Sequence, residues 1–166
     1  APASAQSTSI PHTLNVTTIA ARDNASILEC WALEPGFTVS TQPGTSGSAT
    51  IPLGALGGNN SSYSVIPAGF DAGRHNAPAA QWVIFLSGLA HITLPHSEEE
   101  AWVLGGKHGA ILALDTADIS ADGHFTRYPS EEVTILLQIP LEGRVPLRHR
   151  VLHEGACRAE EQILGV

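Results

Sequence analysis

The stretch Gly69-Phe70-Asp71-Ala72-Gly73-Arg74-His75-Asn76-Ala77-Pro78-Ala79-Ala80-Gln81-Trp82-Val83-Ile84-Phe85-Leu86-Ser87-Gly88 decides how this chain is read. Its second half alternates. A period of two places Gln81, Val83 and Phe85 on one face of a strand and Trp82, Ile84 and Leu86 on the other. Both faces are apolar, so the strand is predicted to be buried on both sides. In a barrel, one face lines the lumen and the other packs outside it.

Short β-type runs continue in both directions, most of them ended by Gly or Pro. They fall at 27–33, 37–40, 49–53, 63–66, 81–86, 90–94, 110–114, 124–128 and 133–139. Spacing near ten residues with such breaks is the signature of an all-β sandwich or barrel. Helical periodicity is scarce; only 98–102 and 159–164 suit short helical turns. Residues 1–26 are polar and rich in Ser, Thr and Ala, and are read as a flexible N-terminal arm. Residues 27–166 then form one β-barrel or jelly-roll domain.

Composition excludes several classes of function. Hydrophobic residues make up 43% of the 166 and charged residues 14%, a globular balance. The net charge is −8 with eight Lys and Arg, so there is no basic footprint for nucleic acid. No apolar run reaches the roughly 18–20 residues of a membrane span. The sequence has no G-x-S-x-G elbow, phosphate loop or dinucleotide fingerprint.

Sequons stand at Asn15, Asn24, Asn59 and Asn60. Four within the first 62 residues tilt the reading toward secretion or the endomembrane lumen. The polar start at Ala1 looks like a mature end left by signal-peptide removal, or simply a trimmed chain. In an oxidising compartment Cys30 and Cys157 are expected to form a disulfide; two buried thiols are the alternative.

The frame Gly69-x5-His75-x-Ala77-x3-Gln81-x6-Gly88 has the spacing of the first cupin motif, and on these residues the chain resembles a small cupin of the type secreted by filamentous fungi. The family pattern has His where Ala77 stands and Glu where Gln81 stands. The second motif is fainter. His124 fills its His position, while Ala113, Ile119, Ala121 and Tyr128 replace its Gly, Pro, Gly and Asn. The resemblance covers roughly residues 60–140. It implies a cupin barrel whose metal site is partly dismantled. Two His and a neutral amide are a poor ligand set, so no metal and no other cofactor is expected. His75 as a turn residue serving only backbone groups remains an alternative.

In overall character the chain is similar to the cofactor-free hetero-Diels–Alderases of tropolonic sesquiterpene pathways. That resemblance implies a cycloaddition joining a quinone-methide-type polyketide to a terpene. Such a reaction needs a shaped apolar cavity and one or two hydrogen-bond donors. His75, Gln81, His124 and Tyr128 are the expected catalytic residues. Tyr63, Val83, Phe85 and Thr126 are expected to bind a small apolar substrate. A non-catalytic module for an apolar metabolite or glycan, and a metal-dependent oxygenase or isomerase, are the other readings. Nucleic acid and membranes are not expected partners; a homodimer through edge strands is.

Overall fold

The structure, a computed structural model, describes residues 12–57, 60–143 and 147–163. The described chain is all-β apart from one helical turn. Its strands are β1 (Asn15–Arg22), β2 (Ala25–Leu33), β3 (Thr38–Val39), β4 (Ala49–Thr50), β5 (Ser62–Ile66), β6 (Phe70–His75) and β7 (Gln81–Ser87). Then follow β8 (Leu89–Leu94), β9 (Ser97–Leu104), β10 (Ala110–Ala113), β11 (His124–Tyr128), β12 (Thr134–Pro140), β13 (His149–Glu154) and the helix α1 (Ala159–Gln162). A seven-stranded sheet runs β13-β2-β1-β10-β7-β12-β5, and a four-stranded sheet runs β6-β11-β8-β9. Among the described residues, only β1 and β10 pair in parallel. Among the described residues, no helix is long and apolar enough to cross a membrane.

The two sheets face each other across one apolar core. Ile19, Leu28, Val83, Phe85, Ile111 and Leu136 enter it from the large sheet; Ala90, Ile92, Ala101 and Val103 enter from the small one. A second cluster lies on the back of the large sheet. There Val16, Trp31, Leu33, Trp82 and Leu112 pack against Ile51, Leu53, Leu141 and Leu147. Strand β7 is therefore apolar on both faces because each meets a different core. Trp82 is fully buried, and its indole N–H donates to Leu53 O at 2.9 Å. That bond ties the irregular segment after β4 over the sheet.

Two glycines set the approach to the core. Gly88 turns β7 into β8 at φ 83°, where any Cβ would collide with Thr134. Gly123, at φ 64°, lies against the His75 backbone and admits no side chain there. It thereby lets β11 start directly beside the end of β6.

Three expectations are corrected. Most of the described part of the expected arm, residues 12–26, is sheet: β1 lies between β2 and β10 with Val16, Thr17, Thr18 and Ile19 buried. The β1–β2 hairpin turns on Asp23 and Asn24, both at positive φ (50° and 61°), an arrangement that favours Asn and Asp after Gly. Residues 1–11 lie outside the described residues. The expected helical turn at 98–102 is strand β9, with Ala101 and Val103 inward and Trp102 and Leu104 outward. Its alternation starts only after Glu98-Glu99-Glu100, which hid it. The helical turn at the C-terminal end is present as Ala159–Gln162.

The third correction concerns Asn15. It is buried, and its amide donates to Glu161 O at 2.6 Å while Thr13 Oγ1 donates to its carbonyl at 3.0 Å. A glycan on that nitrogen would break the bond and find no room. Asn24 and Asn60 are exposed; Asn59 lies outside the described residues. The Asn15→Leu variant is expected to lose about 1–3 kcal/mol in thermal denaturation, because the Glu161 carbonyl loses its partner. An unchanged midpoint would contradict this structural role.

Candidate functional site

A cavity of about 70 Å³ opens between the sheets. Its apolar walls include Ile19, Ala77, Val83, Phe85, Ile92, Ile111 and Leu136; its polar members are His75, Gln81, His124, Thr126, Tyr128 and Gln138. Backbone register explains the convergence. His75 and His124 are directly opposed across β6 and β11. Opposed residues point to one face, and here the rings meet edge to face with centroids 4.6 Å apart. Period two then carries Thr126 and Tyr128 along the same inner face of β11. From the other sheet, Gln81, Val83 and Phe85 line the cavity in alternate positions of β7, as their spacing predicts.

The hydrogen bonds orient both imidazoles. His75 Nδ1 lies 3.0 Å from Gly73 O, and His124 Nδ1 lies 2.7 Å from Asp115 Oδ2. Asp115 is fully buried and the same oxygen accepts Ser26 Oγ–H at 2.6 Å. Ser26 Oγ also meets Ser120 Oγ at 2.8 Å, and Asn76 donates to the carbonyls of Asp115 (3.0 Å) and Ser120 (2.8 Å). Among the described residues, Asp115 Oδ1 is buried without a partner. Burial, and secondarily the neighbouring His124, lower the His75 pKa below its usual value. Burial raises that of Tyr128, so its phenol stays protonated.

Seven of the residues named from sequence therefore share one cavity, and one does not. Tyr63 is 61% exposed on β5, whose inner positions are Ser64 and Ile66. The expected substrate contact at Tyr63 is thus replaced by an outward-facing ring. Sequence reasoning missed Asp115 and Gln138. Gln138 was legible in principle, two residues from Leu136 on the same strand face. Asp115 was not, since it follows β10 and reaches His124 only through the fold.

The donor set does not fit a three-ligand metal centre. Ala77 lines the cavity but offers no donor atom, and Gln81 offers only an amide. Among the described residues, the one grouping of three His, Cys or carboxylate atoms is Cys30, Cys157 and Glu161. Its two cysteines are joined in a disulfide and are not thiolates. Purified protein is expected to hold well under one equivalent of zinc, iron, manganese or nickel, and chelators are expected to leave activity unchanged. Stoichiometric metal in elemental analysis, with loss of activity in EDTA, would overturn this.

The other histidines have separate roles. His91 stacks on the exposed Trp102 at 3.8 Å and pairs with Glu100 at 2.6 Å. His149 stacks on Trp31 at 3.4 Å. Arg148 and Arg158 are 82% and 72% exposed in their side chains.

No protein-family model matches the chain, and no curated protein matches it. Among solved structures, a conserved protein of unknown function from Streptococcus pyogenes is similar at 24% identity and a TM-score of 0.37. The match covers 51% of this chain and 65% of that one, so the chain spans less than two thirds of its length.

Proposed function

We propose that the protein is a cofactor-independent cyclase that works in the cavity between its sheets. The carrying observation is the opposed His75–His124 pair, backed by buried Asp115 and set at the edge of an apolar chamber. The specific reaction is a (hetero-)Diels–Alder addition of a quinone-methide-type polyketide to a terpene, as the overall resemblance suggests. The walls at Val83, Phe85, Ile92 and Ile111 hold the apolar reactants near attack geometry. The polar edge of His75, Gln81, His124 and Tyr128 handles charge at a substrate oxygen. The disulfide supports an oxidising compartment and hence a secreted or lumenal protein.

One observation favours a second reading. At about 70 Å³ the cavity is small beside the 300–1,000 Å³ of typical ligand pockets, so it takes the reacting head of one molecule more readily than two whole reactants. A non-catalytic module that binds one apolar metabolite needs no more than that.

Turnover separates the two. A quinone-methide precursor and a humulene-type terpene are incubated with the protein, and adducts are followed by chiral chromatography. The cyclase reading expects faster formation of one stereoisomer, and a lower rate and affinity in Phe85→Ala. Binding without any acceleration or stereochemical bias would leave the module.

A further inference from the structure

We infer that His75 and His124 present acceptor nitrogens to the cavity and that His124 takes the hydrogen of a ligand hydroxyl of the phenol or enol kind, with Asp115 as the positioning residue that sets it. The inference rests on reading the cavity as the binding site and specifies what that site recognises.

The argument is one of hydrogen-bond bookkeeping. A backbone carbonyl only accepts, so His75 Nδ1, 3.0 Å from Gly73 O, must carry the ring hydrogen. A carboxylate only accepts, so His124 Nδ1, 2.7 Å from Asp115 Oδ2, must do the same. In its neutral form each ring then keeps its lone pair on Nε2. Among the described residues neither Nε2 has a hydrogen-bond partner, and both rings line the cavity 4.6 Å apart. Burial holds His75 in the neutral form. Two acceptors side by side reject a carbonyl or ether oxygen and call for a donor.

The surrounding network is built to maintain this state. Asp115 cannot turn away, because Ser26 donates to the oxygen that holds His124 and Asn76 binds the Asp115 carbonyl. The orphaned Asp115 Oδ1 keeps negative potential behind the ring. With a hydroxyl bound, the ligand O–H bond breaks as the His124 Nε2–H bond forms. The electron pair stays on the ligand oxygen as a phenolate or enolate, and the new positive charge on the ring faces the Asp115 carboxylate. The amides of Gln81 and Gln138 line the cavity from the facing sheet, where they can receive the oxyanion.

The test uses phenol and its methyl ether, anisole, as probes with uniformly ¹⁵N-labelled full chain. Phenol is expected to shift the Nε2 signals of His75 and His124 and to bind at least tenfold more tightly than anisole. His124 is expected to show its hydrogen on Nδ1. In Asp115→Asn the hydrogen should move to Nε2, since the new amide donates to Nδ1, and the phenol preference should vanish. If that variant does not fold, Ser26→Ala serves instead and should weaken the preference. Equal binding of the two probes, or His124 hydrogen on Nε2 in the wild type, overturns the inference. In that case shifts at Val83 and Phe85 would still leave the cavity as the binding site. No shift at any of the four residues sinks both.

Discussion

Replacing His124 by glutamine is expected to lower product formation by about 10²–10⁴-fold, the range over which a positioned proton-transfer group acts. Glutamine is the informative choice. Alanine would leave Asp115 buried and uncompensated, and breaking a buried pair from one side costs about 3–5 kcal/mol. A glutamine amide still donates to Asp115 and fills the space, so the fold is kept while the titratable nitrogen is lost. The His75→Gln variant should lose less, since that ring answers to a backbone carbonyl rather than to a carboxylate. Initial rates are compared with melting temperatures for each variant. A His124→Gln protein that melts like wild type and keeps activity within threefold would remove the pair from the mechanism.

Removing the disulfide is expected to lower the melting temperature by about 10–20 °C. Cys30 and Cys157 are 127 residues apart in sequence and joined in the structure. Closing so long a loop removes about 5 kcal/mol of unfolded-chain entropy in the loop-closure model. A domain of this size shifts by roughly 2–4 °C per kcal/mol. The bridge also has a specific place. Cys30 lies in β2, next to the edge strand β13, and the Cys157 amide donates to Thr17 Oγ1 at 2.9 Å, so the C-terminal segment is clamped across β1. The Cys30→Ala/Cys157→Ala double variant avoids leaving a lone thiol. Calorimetry showing a shift below 3 °C would mean that the hydrogen bonds of this segment hold it without the bridge.

The clamp and the cavity were unequally visible in the sequence. Strands β2, β7, β8, β10, β11 and β12 announced themselves through β-branched and aromatic runs between Gly and Pro. Strand β1 did not, because Asn15-Val16-Thr17-Thr18 reads as polar although all four residues are buried. Its threonines are β-branched and suit a pleated strand, but composition alone does not say that they face a core. Strand β6 was hidden differently: its residues 70–72 and 74 are exposed at a sheet edge, so no apolar alternation marks it.

By itself, the sequence determined the all-β class, the two-sided burial of β7, the inward face of Gln81, Val83 and Phe85, and the two cysteines available for a bridge. These follow from local rules: a strand alternates with period two, and turns need Gly, Pro, Asn or Asp. Only the tertiary structure decided that His75 and His124 face each other, that Asp115 stands behind His124, that Asn15 is buried and that Tyr63 points outward. The separations explain why. Ser26 and Asp115 are 89 residues apart, and Asn15 and Glu161 are 146. Contacts at such distances depend on strand order and register, which no stretch of sequence states alone, because each strand's neighbours are chosen by the burial of all the others together.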